Sequence, residues 1–126
     1  MRIQMRMSYE ARVIIEEEKL NYLKRNVKVT SGEVVDNICE RYASNYQRID
    51  WVSVRNNPEY EGVLAHYTEV SPSALTLNQN TIDLLDKLIV LFNLSFGMKR
   101  TVYRSFVVRM VLKAFVLDKN NHNIWI

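Results

Sequence analysis

The amino-acid sequence predicts a mostly α-helical fold carrying one two-stranded antiparallel β-ribbon. Three observations point to it. A run that alternates polar and apolar side chains, Arg2-Ile3-Gln4-Met5-Arg6-Met7, opens the chain with the period of a half-buried strand. Two helical patterns follow. The same order then returns, with Ser8 and Asn78, and Ile14-Ile15 and Leu84-Leu85, each 70 positions apart.

Taken in order, the first strand ends at Ser8, whose hydroxyl can accept from the free amides of a helix start. Ala11, Ile14, Ile15 and Leu20 then recur at helical spacing. Thr30-Ser31-Gly32-Glu33 has the form of a capping box, the threonine accepting from the third amide and the glutamate reaching back. Val34, Val35, Ile38, Cys39 and Tyr42 make the apolar stripe of a second helix. In the second half Ala74-Leu75-Thr76-Leu77 alternates, Asn78 is the expected cap, and Leu84, Leu85, Leu88 and Val90 continue at helical spacing. Val107, Val108, Val111, Leu112 and Phe115 repeat the second stripe 73 positions on, so the loop between helices is three residues longer. Gly97 falls in that loop and Thr101 is the expected cap.

The expected units are 1–45 and 72–118, joined by a connector at 46–71 and followed by a tail at 119–126, in one compact domain. The connector is too long to be idle in so small a chain. Asn56-Asn57-Pro58 marks a turn, and Trp51, Val52, Val54, Tyr60, Val63, Leu64 and Tyr67 imply packing, with a short helix near 59–67. Asp118 to Asn123 reads as a frayed end before a small apolar hook, Ile124-Trp125-Ile126.

Hydrophobic residues at 48% and charged residues at 25% argue against a disordered chain. Three glycines and two prolines are too few for a sandwich or barrel of many turns. The longest uncharged apolar run, Leu88 to Leu94, is too short to span a bilayer, and the first residues open no apolar signal core, so a cytoplasmic protein is expected. Cys39, the only cysteine, falls on an apolar helical face and reads as a core residue. The net charge of +3 is mild, but no acid lies between Lys87 and Leu117, where Lys87, Lys99, Arg100, Arg104, Arg109 and Lys113 all fall. Such a stretch is either a solvated helix face or a footprint for a polyanion.

One strand and two short helices cannot bury their apolar faces alone, since the strand lacks a ladder partner and the core is small. Two copies solve both problems. Their strands pair, the inner face (Ile3, Met5, Met7, Leu75, Leu77) lies on four helices, and Arg2, Gln4, Arg6, Ala74 and Thr76 face outward. A two-stranded ribbon fits the major groove of B-DNA, where Arg pairs with guanine, Gln with adenine, and Ala and Thr methyls meet the thymine methyl. These residues resemble the ribbon-helix-helix DNA-binding proteins of the Arc/MetJ type, over roughly 2–43 and 73–117. Arg2, Gln4 and Arg6 match the three alternating positions with which that family reads bases. Arg104-Ser105 followed by Val107-Val108-Arg109 is similar to the family's opening of the second helix. The second strand departs from the pattern, because Pro72, Ala74 and Thr76 carry no long polar side chain, which implies one well-specified and one degenerate half-site.

The resemblance also implies phosphate contacts at the start of each second helix: Thr30, Ser31 and Gly32 in one half, and Lys99, Arg100 and Thr101 in the other. A tandem copy in one chain resembles the TraY proteins of conjugative plasmids. That implies an accessory role in DNA transfer, with a relaxase or other transfer proteins as partners, and a role in transcription regulation. A plain transcriptional repressor from a plasmid, phage or virus is the other reading. Both imply double-stranded DNA as partner, no membrane, no cofactor, and a monomeric pseudo-dimer able to bind DNA cooperatively. An enzyme is not expected, so no catalytic or metal residues are assigned. His66 and His122 are 56 residues apart, and no Gly-rich phosphate loop or metal-ligand spacing occurs. Glu16-Glu17-Glu18 points around a helix and reads as solvated or partner-facing surface. An antitoxin would carry a long tail after its second helix, but only nine residues follow Leu117. The competing fold is a helical bundle in which the first alternating run is accidental.

Overall fold

The computed structural model describes residues 1–65, 71–97 and 102–126. Their elements run β1 (Arg2–Met5), α1 (Tyr9–Lys24), α2 (Ser31–Tyr42), a 3₁₀ turn at Tyr46–Arg48, α3 (Trp51–Asn56), a second 3₁₀ turn at Glu61–Leu64, β2 (Ser73–Thr76), α4 (Gln79–Phe96) and α5 (Arg104–Lys119). The molecule is mostly helical, with one antiparallel sheet in which Arg2 faces Thr76, Ile3 faces Leu75, Gln4 faces Ala74 and Met5 faces Ser73. The alternating run is therefore a strand, and the purely helical bundle is excluded. Leu77 extends the ladder, donating its amide to the Met1 carbonyl at 2.9 Å.

Local chemistry starts most helices. Ser8 Oγ accepts from the Ala11 amide at 3.1 Å and donates to the Val63 carbonyl at 2.7 Å, which ties the start of α1 to the connector. Thr30 and Glu33 form the full capping box of α2, and Asn78 Oδ1 accepts from the Thr81 amide at 2.8 Å at the start of α4. The start of α5 differs from expectation. Its N-cap is Tyr103, without a side-chain bond, so Thr101, which lies outside the described residues, is not the cap. Val102 and Val107, both in the core, occupy the two positions of a hydrophobic staple, and packing replaces the missing capping oxygen.

The centre of the fold is α5. Every residue from Val107 to Phe115 is buried, whereas the sequence pattern had exposed one face. That other face is covered by the connector, since α3 and the second 3₁₀ turn pack on α5. The connector therefore carries its helix at Trp51–Asn56, not near 59–67, where the described residues hold only the turn at Glu61–Leu64. Asp50 sets that start, accepting from the Ser53 amide at 3.1 Å. Left-handed Tyr60, at φ +60°, prevents a continuous helix after Pro58. Tyr67 lies outside the described residues.

The tail is docked rather than frayed. α5 ends in a Schellman motif: Asn121 turns left-handed at φ +66° and the His122 amide donates to the Leu117 carbonyl at 3.0 Å. The chain then reverses. Ile124 is buried, its carbonyl accepts from the Asp50 amide at 2.8 Å, and Trp125 bridges Ile49 as an isolated antiparallel pair. The Trp125 ring sits 6.1 Å from that of Tyr42.

Candidate nucleic-acid interface

The pleat of the ribbon separates two faces. Met5, Met7, Leu75 and Leu77 are buried and Ile3 packs half-buried against the same core. Arg2, Gln4, Ala74 and Thr76 are exposed. The pairs Arg2–Thr76 and Gln4–Ala74 bring these four outward residues together as two cross-strand pairs on one surface. Arg6, one residue past β1, is half-buried. It shares a shallow cleft with Gln4, Tyr103, Arg104 and Ser105.

A helix start stands on each flank. Gly32, near the first turn of α2, is buried against the backbone of Thr76, and a β-carbon there would drive into the Thr76 carbonyl oxygen. Thr30 is exposed and Ser31 half-buried beside it. The Thr30 hydroxyl is engaged by the Glu33 amide, which leaves the amides of Ser31 and Gly32 without an intrahelical partner. On the other flank the start of α5 lines the cleft beside β1. Lys99, Arg100 and Thr101 lie outside the described residues. Tyr103, exposed, with Arg104 and Ser105, half-buried, occupies the α5 start instead. Reasoning from the sequence matched Arg104-Ser105 to the opening of the second helix but set its cap and phosphate contacts at Lys99, Arg100 and Thr101, and so missed Tyr103. The 73-residue offset, applied to Thr30, Ser31 and Gly32, lands on Tyr103, Arg104 and Ser105.

Three of the cations in the basic stretch, Arg104, Arg109 and Lys113, are engaged within the fold, while Lys99 and Arg100 lie outside the described residues. Arg104 binds Asp86 through two hydrogen bonds, Nε to Oδ1 at 3.0 Å and Nη2 to Oδ2 at 3.1 Å, and this raises its pKa further. Arg109 is buried and donates to the Ser105, Leu64 and Ala65 carbonyls at 3.2, 3.0 and 2.8 Å. Lys113 is fully buried and donates to the Arg55 and Asn57 carbonyls at 3.2 and 2.7 Å. Burial lowers the pKa of both, the nearby Glu61 charge partly opposing it at Lys113, and among the described residues neither forms an ion pair. They bind the connector to α5 by saturating carbonyls that end a helix or a turn. Lys87 is exposed.

The remaining candidates fall apart from one another. Glu18 pairs with Lys119 at 2.6 Å and Glu16 with Lys19 at 3.6 Å, so the acidic triplet divides between two directions. Cys39 is a buried free thiol whose pKa burial pushes up to about 12. His122 Nε2 meets Glu59 at 2.7 Å, joining tail to connector, and His66 lies outside the described residues. Among the described residues no group of His, Cys, Asp and Glu is arranged to hold a metal ion, and no helix is long and apolar enough to cross a membrane. Comparison with protein-family models, curated proteins and solved structures finds no match for this chain.

Proposed function

We propose that this chain is a single-chain tandem of two ribbon-helix-helix units that binds double-stranded DNA by laying its β-ribbon in the major groove. The observation that carries the reading is the register of the ribbon. Under the 70-residue offset Gln4 corresponds to Ala74 and Arg6 to Thr76, while the pairing joins Gln4 to Ala74 and Arg2 to Thr76. A two-fold axis between two equal strands pairs the central residue with its own copy, and the residue two before it with the copy of the residue two after. The register obeys that rule about Gln4 and Ala74. Helix starts repeat too, Tyr9 with Gln79 and Ser31 with Arg104.

The chemistry fits base reading more than bulk electrostatics. Net charge is only +3, so the sequence-independent attraction is modest and selectivity comes from Arg2, Gln4 and Arg6, with the short Ala74 and Thr76 reading loosely. The starts of α2 and α5 flank the ribbon, and free amides at a helix start suit a phosphate, which supports the reading. The covalent tandem favours a TraY-like accessory factor in DNA transfer over a plain repressor. Footprinting on DNA around its own gene separates them by whether the site is a transfer origin or a promoter.

The test is selection of a binding site from randomised duplexes, followed by mobility shifts on selected and random DNA. Gln4→Ala and Arg6→Ala should each lose about 1–3 kcal/mol, roughly five- to 150-fold, on the selected site and little on random DNA. Equal loss on both would reduce a residue to a phosphate contact. Failure to enrich any duplex would overturn the reading.

A further inference from the structure

We propose that the outer face of α1 is a self-association surface on which a second copy of this chain packs antiparallel, α1 against α1. Leu20 and Leu23 are 51% and 58% exposed, and Val27, just past the helix end, is 45% exposed. Leu20 and Leu23, three apart, share one face of the helix, and Val27 follows beyond the left-handed turn at Asn26. Leu20, expected at helical spacing with Ala11, Ile14 and Ile15, stands five residues past Ile15, about 140° around the helix, and so lies on the solvent side while those three are buried.

The charges around the stripe identify the occupant. Glu16 and Glu17, exposed, stand one turn before Leu20; among the described residues Glu16 is paired with Lys19 and Glu17 is not paired. Lys24, exposed, stands one turn after Leu20, with Lys28 past the helix end. The face therefore runs acidic, apolar, basic along the helix. A second copy laid antiparallel sets each acidic end on the other's basic end with the leucines between, twice over by symmetry. A parallel copy sets like on like. An isologous contact of this kind closes at two molecules. A DNA phosphate is a poor occupant, because carboxylates and leucines form most of the face.

The corresponding face of α4 lacks this complementarity. Val90 and Leu94 are 61% and 78% exposed, and Val90 stands 70 residues after Leu20. There the acid one turn before, Asp86, is held by Arg104, and no charged residue lies between Leu94 and Gly97. The contact belongs to the first half of the chain. It is small, so association is weak in free solution and strengthens when two copies are held side by side. On DNA, two molecules would then meet first half to first half on inverted adjoining sites. Only this last consequence rests on the DNA-binding reading.

Sedimentation equilibrium of the intact chain without DNA, from about ten micromolar to about one millimolar, tests the surface. The expected result is a monomer passing to a dimer near the upper end. Leu20→Glu should remain monomeric throughout. Lys24→Glu should weaken the dimer about tenfold by facing Glu17 of the other copy, and Glu17→Lys with Lys24→Glu should restore it. Circular dichroism checks that each variant is folded, and the restoring double variant guards against loss by misfolding. A monomer at every concentration overturns the proposal, as does a dimer that survives Leu20→Glu but is lost in Val90→Glu. Loss of DNA binding leaves these sedimentation results unchanged, so the two readings fail separately.

Discussion

At Gly32 the backbone of Thr76 fills the place a β-carbon would take, so glycine is needed for α2 to lie against β2. Gly32→Ala should cost about 1–3 kcal/mol by overpacking, read as a lower urea midpoint, because the obstacle is backbone and cannot rotate away. An unchanged midpoint would mean that the helix slides along the strand. Cys39 answers a different physical question. Its folded pKa lies above the ordinary value near 9, at about 12, through burial and then the Asp36 charge. A raised pKa gives stability that is complete below pH 9 and lost as pH climbs toward 12. Relative to Cys39→Ala, the parent chain should therefore lose stability above pH 9, and at pH 8 its thiol should resist iodoacetamide unless urea is added. Rapid alkylation of the native chain would show an open path to the thiol. At this scale the caps Ser8, Thr30 and Asn78 were legible because a cap bonds within three residues of itself. Arg109 and Lys113 were not, since their carbonyl partners Leu64, Ala65, Arg55 and Asn57 lie more than forty residues away in sequence.

At the scale of elements, the strands were legible because alternation survives in four residues when one face is buried. The connector and tail were not, because neither carries a period. The connector owes its structure to α5, whose second face it covers, and the tail owes its own to the connector. The hook Ile124-Trp125-Ile126 is the clearest case. Its hydrogen bonds run to Arg48 and Asp50, and Ile124 and Ile49 are both buried where it meets the first 3₁₀ turn and the start of α3. Deleting residues 124–126 should lower stability by about 2–3 kcal/mol, the value of one buried Ile side chain with some lost pairing. The change should appear in thermal unfolding as a lower midpoint. A truncated chain that melts with the parent would return the tail to a frayed end.

For the whole molecule, the elements of one half find their partners in the other. β1 pairs with β2, α2 leans on β2, the start of α5 lines a cleft with β1, and Tyr42 donates to Asp118 at 2.7 Å. The pairing of the two strands was foreseeable, because a lone short strand can complete a ladder only with another. The asymmetry was not foreseeable: α2 has a polar side, while α5 is enclosed, and only the packed chain reveals which second helix becomes the centre. Such interdependence predicts one cooperative transition. Far-ultraviolet and near-ultraviolet dichroism should lose their signals at the same urea concentration. Since both halves are in one polypeptide, that midpoint should not move on dilution from about one hundred to about one micromolar, below the range where the α1 face associates. A midpoint that falls with dilution would mean that the ribbon joins two chains. Two separated transitions would mean that one half, with its own share of the connector, holds a core of its own.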